Sequence, residues 1–313
     1  MTCDLQLEDI KKIGVVGAGI MGHGIAQTFA LAGYPVVLCD ISRDILSRAM
    51  EQINRNLSLF EEMKLIKPGE GAAALNRIST EVDLGAVGGC DFVTEAVPEI
   101  MDLKKELFKK LDNLTLPHAI LASNTSALSG TAMAEVTRKP HKVVVTHWFN
   151  PPHIVPLVEV VKGNWTSEET LSLARDLMQR IGKQPVVIKK EVPGFVANRI
   201  QGAIMREALN LLARGIANVE EIDLAIKAGP GFRLASMGIF EIADHGGLDT
   251  WARASAATSG KSPATRVLEE KLARGELGVK SGKGFYDYKG KEINEIITKR
   301  DRKLITRLKE MKR

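Results

Sequence analysis

A histidine at the carboxyl end of one apolar run and a glutamate inside another are the residues of this chain best suited to move a proton. His147 closes VVVTH and precedes W-F-N-P-P; an imidazole, with an ordinary pKa of about 6.5, serves there as a general base near neutrality. Glu159 interrupts IVPLVEVV, where an unpaired carboxylate is costly to bury, so it requires a cationic or hydrogen-bonding partner. His147, twelve residues earlier in an adjacent expected strand, is a suitable one. A carboxylate on one ring nitrogen fixes the tautomer and stabilises the imidazolium formed when the other nitrogen takes a proton. The competing reading is a purely structural hydrogen bond between two strands. Groups able to steady a reacting oxygen come from two other segments: Asn124, Thr125 and Ser126 after AILAS, and Asn198 on a helix beyond Pro193. Ser123 to Ser126 reads equally as a turn and N-cap, and Asn198 as a solvated helical amide. His153, Trp148 and His245 read as loop or packing residues.

A second chemistry is phosphate binding. Gly17, Gly19 and Gly22 spell G-A-G-I-M-G after a short apolar stretch and at the opening of a helical pattern. In that context the first glycine allows a tight turn, the second lets a pyrophosphate approach the backbone, and the third packs helix on strand. The phosphate charge then meets a helix N-terminus. Asp40 lies 18 residues past Gly22 at the end of the next strand, placed to accept hydrogen bonds from ribose hydroxyls, which favours NAD. Arg43, three residues further, keeps NADP open, and glycines that only pack a helix are the bland alternative.

These residues need a scaffold that brings strand ends together. KIGVVGAG, a helical pattern to Ala30 and YPVVLCD form strand, helix and strand, the unit of a parallel sheet. A long helix is expected from Ile45 to about Lys67, closed by Pro68 and Gly69. Further strands are read at CDFVTEAV, HAILAS, KVVVTHWF, IVPLVEVV and PVVIKK, with helices near 103–111, 131–136 and 168–181. The alternation predicts an α/β fold, a Rossmann-type doubly wound sheet with helices on both faces, whose ligands bind beyond the carboxyl ends of the strands. After Pro193 the period becomes helical, with no confident strand before FYDY. The expected organisation is 1–192 as a nucleotide-binding domain, 193–288 as an all-helical domain, and 289–313 as a basic tail.

Composition excludes other classes. The 313 residues are 44% apolar and 26% charged, ordinary for a globular chain of about two domains. Cys3, Cys39 and Cys90 include no C-x-x-C pair, so neither a disulfide framework nor a zinc site is expected, no metal is invoked, and a reducing compartment fits better. No apolar run nears a membrane span and no secretory leader is read, so the expectation is a cytoplasmic protein. The net charge of +5 sits in the tail, where ten Lys/Arg face four Asp/Glu; the rest of the chain is one charge negative. Nucleic-acid binding is therefore not expected. Ile293, Ile296, Ile297, Leu304, Leu308 and Met311 give the tail a helical stripe, that of a solvated or self-docking helix, with a partner or membrane surface as the rival reading.

In combination, GAGIMGHGIAQ, DFVTEAVPE, ASNTSAL, HWFNPPHIVPLVEVV, VPGFVANRI, GLD and GVKSGKGFYDY resemble the 3-hydroxyacyl-CoA dehydrogenase family, in order, across about residues 11 to 288. The resemblance implies a Rossmann-type domain, a helical domain through which such proteins form homodimers, and NAD-linked oxidation of an (S)-3-hydroxyacyl-CoA to the 3-ketoacyl-CoA, as in fatty acid metabolism. It places the family's catalytic histidine on His147, its partner acid on Glu159, its substrate-contacting serine on Ser126 and its helical asparagine on Asn198. It places cofactor contacts on Gly17, Gly19, Gly22, Asp40, Glu99, Lys104 and Asn150, with Ser126 also near the nicotinamide.

Two departures concern the substrate. The family's lysine-rich helix that meets coenzyme A reads RNLSLFEEMK, with Glu61 and Glu62 where basic residues are expected and Lys64 and Lys67 as weaker substitutes. The usual G-x-G-x-P-M-G-P-F run reads GPGFRLASMGIFE, closer to divergent members that oxidise hydroxy acids or alcohols without coenzyme A. Arg233 would there clamp a free carboxylate, or else be a surface residue. Three alternatives thus stand: an acyl-CoA dehydrogenase, a dehydrogenase of a free hydroxy acid, and a non-catalytic NAD-binding structural or sensor protein.

Overall fold

The computed structural model describes residues 5–259 and 263–311. The chain divides into two compact units, Met1–Ala203 and Ile204–Arg313. The first contains β1 (Ile13–Val16), α1 (Gly22–Leu31), β2 (Val36–Cys39), α2 (Arg43–Glu62), α3 (Glu70–Leu75), β3 (Ile78–Glu81), β4 (Phe92–Glu95), α4 (Met101–Leu114) and β5 (Ile120–Ser123). It continues with α5 (Gly130–Ala134), β6 (Val143–Trp148), β7 (Leu157–Val161), α6 (Glu168–Arg180), β8 (Gln184–Ile188) and the opening of α7 (Ala197–Ala213).

The eight strands form one sheet in the order β3-β2-β1-β4-β5-β6-β7-β8. All neighbours are parallel except β6 and β7, which run antiparallel. Side chains alternate along each strand. Ile13, Val15, Val36 and Leu38 therefore join a core under α1, α2 and α6, while Val16, Val37 and Cys39 join Phe108 and Leu111 of α4 on the other face. Burial on both faces explains why the central strands read as unbroken apolar runs. Burial also pushes the Cys39 and Cys90 thiols up to about 11; Cys3 lies outside the described residues.

Two local expectations change. Strand β3 was not legible, because ISTE is an edge strand with no fully buried residue. Helix α2 ends at Glu62, ahead of Pro68: Lys64 turns left-handed at φ 58° and the Leu65 amide donates to the Phe60 carbonyl at 2.8 Å, a Schellman-like stop. Two predicted helices lengthen or shift slightly, to α4 and α5.

The second unit is helical: the remainder of α7, then α8 (Val219–Ala228), α9 (Pro230–Leu234), α10 (Ile239–Gly246), α11 (Leu248–Ser259), α12 (Pro263–Ala273) and α13 (Ile293–Met311). Asn218 and Glu221 close a capping box on α8. The FYDY segment forms only isolated bridges. It is pinned to α10 by Asp244, which accepts from the amides of Phe285 and Tyr286 at 2.8 and 2.9 Å and from the Tyr288 hydroxyl at 3.1 Å. A Cβ on Gly284 would stand 2.1 Å from Asp244 Oδ1, so that glycine is a packing requirement. The basic tail forms α13, whose Ile293, Ile305, Leu308 and Met311 remain exposed, and Lys303 pairs with Glu241 at 3.4 Å. No described helix is long and apolar enough to cross a membrane.

Candidate active site

Antiparallel pairing of β6 with β7 sets His147 directly opposite Glu159. Both are buried, and His147 Nδ1 lies 2.8 Å from Glu159 Oε2. The other carboxylate oxygen, Oε1, accepts from the amides of Val196 and Ala197 at 3.0 and 2.8 Å. Gly194 and Phe195, at φ 76° and 47°, turn the chain so that these amides at the start of α7 converge on the acid, an anion-binding arrangement of backbone N–H groups. Burial alone would push the Glu159 carboxyl up, yet His147 and the two amides together hold it below the ordinary carboxylate value. The acid therefore stays ionised, Nδ1 carries the donated proton, and Nε2 is the nitrogen left for exchange. The Phe149 and Phe195 rings, centred 4.4 and 5.6 Å from the imidazole, restrict its rotation and exclude water.

At the glycine turn, Gly17 has φ 99°, and a Cβ there would stand 2.6 Å from the Ala96 carbonyl oxygen. A Cβ on Gly22 would overlap the Gly17 carbonyl oxygen at 1.6 Å. Gly19 has nothing within 4 Å of its would-be Cβ, so the backbone there is open to an approaching phosphate while its neighbours are closed by packing. Asp40 follows β2, and its Oδ2 accepts the Ala18 amide at 2.7 Å, which ties the acid to the turn. This set fits a dinucleotide: open backbone amides at a helix N-terminus, with a carboxylate beside them.

A third cluster joins β4, α4 and the loop after β5. Lys104 is buried, with Nζ 2.5 Å from Glu95 Oε1 and 3.2 Å from Glu99 Oε2. Glu99 Oε1 accepts from Thr125 Oγ1 at 2.5 Å and from the Ser126 amide and hydroxyl at 2.9 and 3.3 Å. Burial pushes Glu99 up, but Thr125, Lys104 and Ser126 hold it below the ordinary value. Burial pushes Glu95 above its ordinary value despite Lys104.

Several expected residues are thereby brought together: His147 with Glu159, and Glu99 with Lys104 and Ser126. Thr125 is fully engaged, since its hydroxyl also accepts the Leu128 amide at 2.8 Å. Asn124 Oδ1 accepts the Trp148 amide at 2.9 Å, which makes it a strut between β5 and β6. Asn198 is half-buried in the first turn of α7, and Asn150 is exposed just beyond β6. Lys64 is exposed at the stop of α2, and Arg233 is exposed in α9 of the second unit. Glu61 accepts the amides of Gly69 and Gly71 at 3.0 and 3.1 Å, capping α3. Glu95 and the two phenylalanines were not anticipated. Glu95 carried the same signal as Glu159, an acid inside an apolar strand.

Sheet order and glycine turn define a Rossmann-type dinucleotide-binding protein with a helical second part. The chain belongs to the 3-hydroxyacyl-CoA dehydrogenase family: the NAD binding domain of that family matches residues 12–192 and its C-terminal domain matches 194–288. NAD is accordingly its dinucleotide. The chain is 34% identical over 301 residues to 5-formyl-3-hydroxy-2-methylpyridine 4-carboxylate 5-dehydrogenase of Mesorhizobium japonicum, covering 95% of this chain and 96% of that protein. It is 37% identical over 286 residues to 3-hydroxybutyryl-CoA dehydrogenase of Bradyrhizobium diazoefficiens, covering 90% and 96%. Among solved structures, the 3-hydroxyacyl-CoA dehydrogenase of Archaeoglobus fulgidus superposes with a TM-score of 0.78 at 32% identity, covering 95% of this chain and 99% of that one.

Proposed function

We propose that this protein is an NAD-dependent dehydrogenase of secondary alcohols, with an (S)-3-hydroxyacyl-CoA such as 3-hydroxybutyryl-CoA as its favoured substrate. The observation that carries the reading is the buried 2.8 Å contact between His147 Nδ1 and Glu159, which leaves Nε2 to take the hydroxyl proton. Bound NAD supplies the hydride-accepting ring. Glu159 stabilises the imidazolium formed in that step, while Ser126 and Asn198 donate to the reacting oxygen as charge develops on it. Glu99 and Lys104 fix the Ser126 loop, and Gly17, Gly19, Gly22, Asp40 and Asn150 hold the dinucleotide.

A second substrate class, a free hydroxy acid or alcohol without coenzyme A, is favoured by one relative whose name describes a pyridine carboxylate as substrate. In that case Arg233 clamps the carboxylate; in the acyl-CoA case Lys64 faces a phosphate of the carrier. A panel of 3-hydroxybutyryl-CoA against unesterified hydroxy acids, followed by NADH absorbance, tests both. Turnover of neither class with NAD bound would favour the non-catalytic reading. We further read the chain as a cytoplasmic homodimer through its helical unit, supported by exposed Met205, Leu209, Leu212 and Leu224; a monomer by sedimentation would refute this.

A further inference from the structure

His23, in the first turn of α1, and His153, in the loop between β6 and β7, bring their rings to 6.3 Å. The loop seats on α1 at Gly24, where a Cβ would stand 2.7 Å from Pro152 and 3.0 Å from His153 Nδ1. The Phe60 ring of α2 closes the other side of His153 at 5.8 Å. Beneath the same loop lies Lys183, 7% exposed, whose Nζ donates to the carbonyls of Pro152 and Val155 at 2.5 and 3.0 Å and stands 5.2 Å from the Trp148 ring centre. Burial pulls Lys183 down to about 8. Burial, then His23 and Lys183, lower His153 as well.

The ring nitrogens are constrained. His23 Nδ1 lies 2.8 Å from the Gly19 carbonyl oxygen, which only accepts, so Nδ1 carries a proton. His153 Nδ1 is buried with no hydrogen-bond partner among the described residues, so a proton is least costly on Nε2. Two half-exposed imidazoles thus lie together, His23 one residue past Gly22 and His153 six past His147 in the loop that covers Lys183.

We propose that His23 and His153 form a recognition site for an anionic oxygen group of the substrate, a free carboxylate or a coenzyme A phosphate. An anion there accepts from His153 Nε2–H and from His23 in its imidazolium form, and faces the loop whose Pro152 and Val155 carbonyls hold Lys183. The proposal rests on the dehydrogenase reading. The amides of the glycine turn would hold the pyrophosphate of the dinucleotide, so affinity for NADH is the internal control.

The test reduces three ketones with NADH in the wild type, His23→Gln, His153→Gln and the double variant: acetoacetyl-CoA, acetoacetate, and the uncharged thioester of N-acetylcysteamine. The ratio of kcat/KM for the charged ketone over the neutral one should fall roughly tenfold to hundredfold, chiefly through KM. A fall confined to acetoacetyl-CoA assigns a phosphate; one confined to acetoacetate assigns a carboxylate. An unchanged ratio, or a loss located in the KM for NADH, overturns the proposal. If the wild type reduces none of the three, the dehydrogenase reading fails, and the site is judged by titrating inorganic phosphate against the imidazole NMR signals. Shifts at His23 and His153 that the double variant lacks support it; their absence in the wild type rejects it.

Discussion

Glu159 binds His147 through one carboxylate oxygen and the first amides of α7 through the other, so one buried acid fixes the base and anchors the helix that carries Asn198. Glu159→Gln should therefore fail twice. An amide favours the wrong tautomer of His147, and turnover should fall by roughly 10³- to 10⁴-fold, by analogy with other His–carboxylate pairs. Loss of the charge facing the α7 amides should also lower the urea midpoint. Turnover near wild type would show that the contact is only structural.

The same pairing sets a pH dependence. The folded pKa of Glu159 and of Glu99 lies below the unfolded value of about 4.3. The stability each contributes is then fully present above that value and is lost as pH falls through the lowered folded value. The difference in unfolding free energy between wild type and Glu159→Gln should be large at neutral pH and shrink steadily in acid. A difference independent of pH would contradict the assignment.

Much of this was legible because the informative residues break a local rule. Glu159 stood out as an acid in an apolar strand, and antiparallel register then delivered its partner across from it. Gly17 and Gly22 stood out by spacing, and each proves to face a carbonyl at a distance only hydrogen tolerates. Edge strand β3 escaped because exposed strands lack the apolar run. Phe195 escaped because a left-handed phenylalanine over an imidazole is set by tertiary packing, not by neighbours in sequence. The cap that Glu61 provides for α3 escaped because a contact eight residues along the chain has no periodic signature.

The glycines should separate folding from binding. Gly22→Val meets a backbone carbonyl and should prevent folding of the first unit. Gly19→Val meets open space, so its melting temperature should stay close to wild type while NAD affinity falls by roughly tenfold or more, the scale of a lost hydrogen bond to a charged group. Equal thermal loss in both variants would refute the cradle at Gly19.

Glu95→Gln removes the shortest partner of buried Lys104. An ammonium left under-compensated in the interior should destabilise the protein by roughly 3 to 5 kcal/mol, and the KM for NAD should rise as Glu99 is drawn away from Ser126. Denaturant titration and NAD saturation curves measure both; an unchanged midpoint would mean that Glu99 alone satisfies Lys104.

The most direct measurement is the rate of NADH formation by His147→Gln on the substrate that the wild type oxidises, alongside NAD affinity by calorimetry. Loss of roughly 10²- to 10⁴-fold or more in turnover with NAD binding retained is the predicted result. Turnover close to wild type would contradict the assignment of His147 as the base.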